Sequence, residues 1–400
     1  MRSEFEGRYG MRIPSMTPAR RRTAVVLAVA LVLFVVIRML TAPGAAPHQT
    51  VGDYAEYERA VVTRILTDST ERDFASDGGW RGEQTLLADV RSGQYRGETL
   101  VAYHYVGPLY GGPLSEGDRC TLLISTYSDG THTATVYEYD RCPALGAVIL
   151  AFFLITVLVG GKTGAKSLIG LVFTVLCVLL LLFPALLRGA PTLLSTFALC
   201  VYVAAVSLTV LGGVTKKTLC ALAGTVAGTG FALLFALAAQ AVLRVNGLRV
   251  PDVEPLLQLR QTGTPIRLTG LLAAGVLLSA LGAVMDVAMS LSSAAAELRA
   301  ADPAMDRRGL FRSVMNIGRD MVGTMTNTLV LALFGGSFVV LLTLYSLGLS
   351  PRQLLSSAYC SVELTSAVAG SAGVILSVPL TAWIASIAYG AESTQGGKNQ

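Results

Sequence analysis

The stretch GAVMDVAMSLSSAAAEL, residues 282–298, sets a carboxylate, Asp286, inside a run that is otherwise largely apolar from Leu268 to Leu291. On helical spacing, Ser279, Gly282, Asp286, Ser290, Ser293 and Glu297 recur every three or four residues and share one face. Val284, Val287 and Leu291 fall on other faces, and Met285 and Met289 flank the stripe. An ionised Asp at the centre of a membrane helix costs about 2.5–3.5 kcal/mol on insertion scales. Such a residue faces protein or water, is protonated, or has a partner.

The following apolar run carries a matching stripe. In SVMNIGRDMVGTMTNTLVL, residues 313–331, Asn316, Asp320, Gly323 and Asn327 share a face, Thr324 and Thr328 flank it, and Arg319 sits at its mouth. Two antiparallel helices are expected to bring Asp286 near Asn327 or Thr324. A carboxylate among amide and hydroxyl ligands suits a proton, a hard cation or a polar solute. The bland alternative is an interhelical hydrogen-bond network, because polar side chains also hold membrane helices together.

The bulk composition agrees with a membrane chain. Of 400 residues, 52% are hydrophobic and 14% charged, against about 25% charged in soluble domains. Eight runs reach spanning length, at 23–40, 144–160, 167–187, 193–211, 218–243, 268–291, 321–348 and 367–389, since about 20 apolar residues cross a bilayer. The expected architecture is an α-helical polytopic membrane protein of eight transmembrane helices. Residues 1–22 read as a polar cytoplasmic tail and 23–40 as an uncleaved anchor, with a signal peptide cut near APGAAP as the alternative. Residues 144–390 form a seven-helix membrane domain and 391–400 a second cytoplasmic tail.

Between the first two runs lies a polar segment, 50–142, that alternates like β structure. YERAVVTRIL, EQTLLADVR, GETLVAYHYVG, DRCTLLISTY and HTATVYEYDR give five strands, the last two joined by a turn at SDGT. A small all-β barrel or sandwich fits, and an OB-like barrel is favoured. The segment holds eight Arg against fifteen Asp or Glu, a local charge of −7 in a chain of net +5. Sixteen basic residues fall on the segments expected inside and six on the outer loops. This bias puts both termini in the cytoplasm and residues 41–143 outside. No basic cluster is interleaved with aromatics, which argues against nucleic acid.

Other motifs carry less. VGGKTGAKS, residues 159–167, imitates a phosphate-binding loop, but its first glycine position is Thr156 and no strand precedes it. It reads as an inner loop with two lysines. CALAGTVAGTGFALL sets Gly224 and Gly228 four apart, a spacing for close helix packing. In the last run Ser366, Gly370 and Gly373 make a third small face, Pro379 is a candidate kink, and Glu363 lies near the outer end. His104 and His132 lack metal-ligand partners at suitable spacing, and no cofactor motif occurs. Cys120 and Cys142 flank the last hairpin of the exported segment and are expected to form a disulfide. The other four cysteines read as packing residues.

The residues LGAVMDVAMSLSSAAAEL and NIGRDMVGTMTNTLVLALFGGS, supported by GGVTKKTLCALAGTVAG and by RGETLVAYHYV to GDRC, resemble the YibE/F family of bacterial membrane proteins. The similarity runs from about residue 55 to 390. It implies an exported β segment followed by a multi-helix membrane domain, and no particular activity. The Cys120/Cys142 pair departs from the family pattern.

The functional expectation is transport of an ion or small polar solute. Asp286 is the titrating or coordinating group, Ser290, Thr324 and Asn327 are neutral ligands, and Arg319 with Asp320 forms a cytoplasmic gate. A membrane scaffold or sensor, whose β domain binds a partner, is the alternative. An intramembrane aspartyl protease needs two paired Asp; Asp286 qualifies, but Asp320 lies at the boundary. Serine chemistry lacks a histidine within the membrane domain.

Overall fold

Alternation of inward apolar and outward polar residues builds strands across the polar segment between the first two apolar runs. In the computed structural model, which describes residues 18–40, 55–127, 131–245 and 253–390, these strands are β1 (Ala55–Asp68), β2 (Glu71–Asp73), β3 (Gly79–Val90), β4 (Thr99–Val106), β5 (Arg119–Thr126) and β6 (His132–Tyr139). They form one sheet in the order β1-β5-β6-β4-β3-β2, and β1 also pairs with β3, which closes a barrel. The 14-residue β1 serves both neighbours: Ala55–Val61 pair with β5 and Ala60–Asp68 with β3. Irregularities between Val62 and Arg64 and between Ile65 and Thr67 bend it around the barrel. The β4–β6 pair is parallel, Ala102 opposite Ala134 and Tyr103 opposite Thr135. Inside are Ala60, Val62, Leu86, Ala88, Val90, Ala102, Leu122, Ile124 and Ala134. All five expected strands are present and β2 is an addition. The expected SDGT turn falls on residues 128–130, outside the described residues.

The helices are α1 (Pro18–Leu40), α2 (Cys142–Cys177), α3 (Phe183–Leu187), α4 (Thr192–Gly212), α5 (Lys216–Leu243), α6 (Glu254–Gln261), α7 (Leu271–Ala301), α8 (Arg307–Gly336), α9 (Phe338–Ser346), α10 (Pro351–Ser356) and α11 (Ala358–Gly390). A π segment, Val178–Leu182, joins α2 to α3. The chain divides into two units, Pro43–Leu158 and the remainder. The tail expected at 1–22 is described from Pro18 on, where it is already the first turns of α1 and not an unstructured tail; residues 1–17, the tail expected at 391–400 and the APGAAP segment lie outside the described residues.

Among the described residues, six helical stretches are long and apolar enough to cross a membrane, or seven if α8 and α9, bent by 61°, count as one span. The eight expected runs map onto these seven. The second and third runs share the stretch Cys142–Leu187, where the expected loop shrinks to Gly161, at φ 54° and ψ −135°, a conformation open to glycine alone. Run 321–348 is broken between Gly336 and Phe338.

Long helical packing in the second unit centres on α7 and α11, with α5 and α8 against them. Small residues set the spacing. Gly228 lies against Ser377, Val284 and Gly373, and Gly224 against Thr381. The glycines of α5 thus receive the small face of α11, as their spacing predicts. Pro379 sits within α11 without ending it. The buried core here comprises Ala280, Val284, Val287 and Leu291 of α7, Leu310 and Val314 of α8, and Val374, Val378 and Ala382 of α11. Helix α1 joins the same unit: Tyr202 donates to the Ala30 carbonyl at 2.7 Å, and the Phe34 and Phe173 rings meet at 6.2 Å.

Candidate functional site

Helix α7 buries three of its sides. Leu277 and Leu281 pack with α4 and with the end of the α2 stretch, and Met285 flanks them. Val284, Val287 and Leu291 pack with α8 and α11. At 3.6 residues per turn the remaining side carries Gly275, Ser279, Gly282, Asp286, Ser290 and Glu297, and every one of these is exposed. Ser293, half-buried, donates to the Met289 carbonyl at 2.8 Å, and Ser279 donates to the Val276 carbonyl at 3.0 Å. No atom of a neighbouring element lies within 4 Å of a Cβ built on Gly275 or Gly282. The strip is therefore an open polar track along a helix whose other sides are largely buried. Among the described residues, the Asp286 carboxylate has no hydrogen-bond or ion-pair partner.

The stripe of α8 is equally regular and lies elsewhere than expected. Leu310, Val314 and Gly318 are buried, Met321 and Met325 pack beside them, and the polar stripe occupies the opposite side. Asn316, Asp320, Gly323, Thr324 and Asn327 are all exposed. Shared neighbours still fix their level. Gly370 touches both Ala280 and Leu329, and Gly318 lies close to both Val378 and Leu291. Counting between those crossings along antiparallel helices sets Gly323 and Thr324 level with Asp286, and Asn327 about one turn away. The expected closed pocket between facing stripes is thus not formed within the chain. Thr324 instead donates to its own helix, to the Asp320 and Met321 carbonyls.

The expected gate pair is not an ion pair. Arg319 donates to Asn316 Oδ1 at 3.2 Å, and among the described residues no salt bridge joins it to Asp320. Nor do Asp286 and Asp320 share a hydrogen bond, as paired carboxylates of an aspartyl protease would.

A feature without a forecast in the sequence reading sits at the break between α8 and α9. A cavity of about 410 Å³ is lined by Val330, Phe334, Ser337, Tyr345, Cys360 and Glu363, among other, apolar residues. Glu363 lies half-buried at it. The signal available was Gly335–Gly336 inside an apolar run.

In the barrel the expected Cys120–Cys142 disulfide is not formed; both are free thiols. Cys120 points inward with Leu122 and Ile124 and is fully buried, while Cys142 is exposed at the start of α2. Burial, with Asp118 and Asp140 nearby, pushes the Cys120 thiol up to about 12. His104 is buried with Nε2 at 3.0 Å from the Gly112 carbonyl. Among the described residues no group of three His, Cys, Asp or Glu could hold a metal ion.

Neither a curated protein nor a solved structure matches the chain. A family model does, over residues 148–391, more than half of the sequence. The match takes in α7, α8 and α11 with the Asp286 track and stops short of the barrel, which the sequence resemblance had included. The chain belongs to the YibE/F-like protein family.

Proposed function

We propose that this is a bacterial inner-membrane protein that moves an ion or a small polar solute, with Asp286 as the group that titrates or coordinates. The observation that carries the reading is an unpartnered carboxylate midway along an apolar 31-residue helix, on an open track of glycine and serine. Ser290 continues the track towards the end that the charge bias assigns to the cytoplasm. Thr324 and Asn327 stand near its level on a separate exposed strip of α8, and Arg319 and Asp320 mark the polar end of that strip. The broken α8–α9 span with its cavity gives further support, because discontinuous membrane helices build solute sites in transporters. The docking of α1 onto α4 supports a retained anchor.

The test is Asp286→Asn, which keeps size and hydrogen bonding and removes the charge. In proteoliposomes loaded with a pH dye and challenged with Na⁺, K⁺, Mg²⁺ or Ca²⁺, the wild type is expected to pass one of these ions or protons. The variant, inserted at equal abundance, is expected to fall to background. Undiminished flux in the variant would remove the main support for transport.

A second reading is a scaffold or sensor whose barrel binds a partner. In order of appearance the five barrel strands run 1-2-3-5-4 around the ring with a parallel 3–5 closure, which supports an OB-like barrel. Exposed Tyr57 and Tyr137 meet edge to face at 4.9 Å, and exposed Tyr103 and Tyr105 lie on the adjoining strand. Such a face suits a protein or other uncharged surface better than nucleic acid, given the acidity of the segment. Retention of the cellular phenotype by Asp286→Asn, with its loss on Tyr57→Ala and Tyr137→Ala together, is the outcome that favours this reading.

A further inference from the structure

We propose that Arg307, Arg308 and Arg312, with Trp383, form a binding site for the headgroup phosphate of an anionic phospholipid. The inference rests on the membrane reading above. A cavity of about 400 Å³ opens between the start of α8 and the end of α11, lined by these four residues with Phe311 and Ser386. Three cations thus line one small cavity, and no carboxylate is among the lining residues. The nearest acid in sequence, Asp306, is engaged as the cap of α8, accepting from Gly309 N at 2.9 Å. Among the described residues none of the three guanidinium groups has a hydrogen-bond acceptor or an ion-pair partner. Like charges gathered without counter-charge repel, and a bound anion relieves that cost.

Depth selects a lipid over a soluble anion. Trp383 is exposed and lies two turns, about 10 Å, before the end of α11 at Gly390. That is the level at which indole rings collect beneath headgroups. The Arg307 stem lies against Gly390, so the guanidinium groups begin where α11 ends. Arg307 and Arg308 therefore stand at headgroup height; Phe311, Arg312 and Trp383 follow about 6–10 Å deeper, at the height of the upper acyl chain, from which an arginine stem snorkels back to the phosphates. Basic pockets between membrane helices on the cytoplasmic side recognise lipids in this manner, and the charge bias assigns this end to the cytoplasm. Guanidinium suits the role because its planar donors pair with phosphate oxygens two at a time.

The test uses the full-length protein, purified in a neutral detergent and examined by native mass spectrometry while titrated with phosphatidylglycerol, phosphatidylcholine or inorganic phosphate. Phosphatidylglycerol is expected to bind in preference to phosphatidylcholine. The triple variant R307Q/R308Q/R312Q is expected to bind it roughly 100-fold more weakly, and R307K/R308K/R312K to recover part of the loss. Equal binding of phosphatidylglycerol by the wild type and a monodisperse triple Gln variant overturns the site. So does displacement of the lipid by inorganic phosphate at equal concentration, which makes it a soluble-anion site. A Gln variant that aggregates is replaced by the Lys variant set against Trp383→Ala: unchanged binding in the latter again overturns the proposal. Alkaline carbonate treatment of membranes separates the two levels. Release of the wild-type protein sinks the membrane reading and this site together, whereas retention with unchanged lipid binding by the variants sinks this site alone.

Discussion

At the scale of single residues, accessibility decides chemistry. Cys120 and Cys142 are both reduced thiols, and their surroundings differ in a way that reagents can read. A thiolate is the reactive species, and Cys120 is fully buried with its thiol pushed up to about 12 by that burial. Cys142 is exposed. In native protein at pH 8, iodoacetamide is expected to alkylate Cys142 and spare Cys120, and denaturant is expected to open Cys120. Peptide mapping by mass spectrometry checks this; a Cys120–Cys142 disulfide in non-reduced protein, or equal labelling of the two, contradicts it. The orientation of Cys120 was legible in the sequence, because CTLLI puts it in phase with Leu122 and Ile124 and hence inward. Spacing along the hairpin suggested a bridge, and the strand's own alternation argued against it. Asp286 shows the reverse case. Periodicity correctly placed it on a strip with Ser279, Gly282 and Ser290, all of them exposed together. Periodicity could not say what the strip would face, since a polar stripe is compatible with a pocket, with water or with another chain.

At the scale of elements, α8 explains why a matching pattern did not give a matching orientation. Its Asn316, Asp320, Gly323 and Asn327 stripe is as regular as that of α7. Its orientation is fixed by the opposite side, where Leu310, Val314, Gly318, Met321 and Met325 supply the bulk and the one close approach that α11 and α7 require. Glycines were more telling where they meet something. A Cβ on Gly228 would stand 2.7 Å from Ser377 Cβ and 2.8 Å from Val284 Cγ1, in the middle of the α5–α11 crossing. Gly282 faces open space. Gly228→Ala is therefore expected to destabilise the protein by about 1–3 kcal/mol through overpacking. Gly282→Ala is expected to leave stability level or slightly raised, since alanine favours helix by up to about 1 kcal/mol. Thermal unfolding in detergent compares them, and equal losses in both would contradict the assigned crossing. The break after Gly336 escaped the sequence reading because hydropathy runs on through Phe338–Ser346.

At the scale of the whole molecule, the chain's charges and its contacts agree about which ends belong together. Thr23 at the start of α1 accepts from Val214 N after α4, and Lys166 reaches the Leu211 carbonyl. Thr192 at the start of α4 donates to the Arg267 carbonyl before α7, and Gly189 lies against Pro265. Arg307 at the start of α8 lies against Gly390 at the end of α11. The first and third of these groupings carry the lysines and arginines that the sequence assigns to the inside, and the second joins two loops that the same charge pattern assigns to the outside. The sixteen-to-six excess of basic residues on inner segments then predicts a cytoplasmic side for the first and third. Labelling in intact cells tests it, in a background with the six native cysteines replaced. Single cysteines at Ser69, between β1 and β2, and at Gln261, at the end of α6, both exposed positions, are expected to react with a membrane-impermeant maleimide. One at Ala301, exposed at the end of α7, is expected to react only after the cells are broken. If Ala301 labels in intact cells while Ser69 and Gln261 do not, the orientation is inverted. The Asp286 track would then open towards the opposite face, and the arginine site would meet the outer leaflet. If all three label alike in intact cells, Gln261 and Ala301 do not lie on opposite sides of a barrier, and α7, which joins them, does not span the membrane.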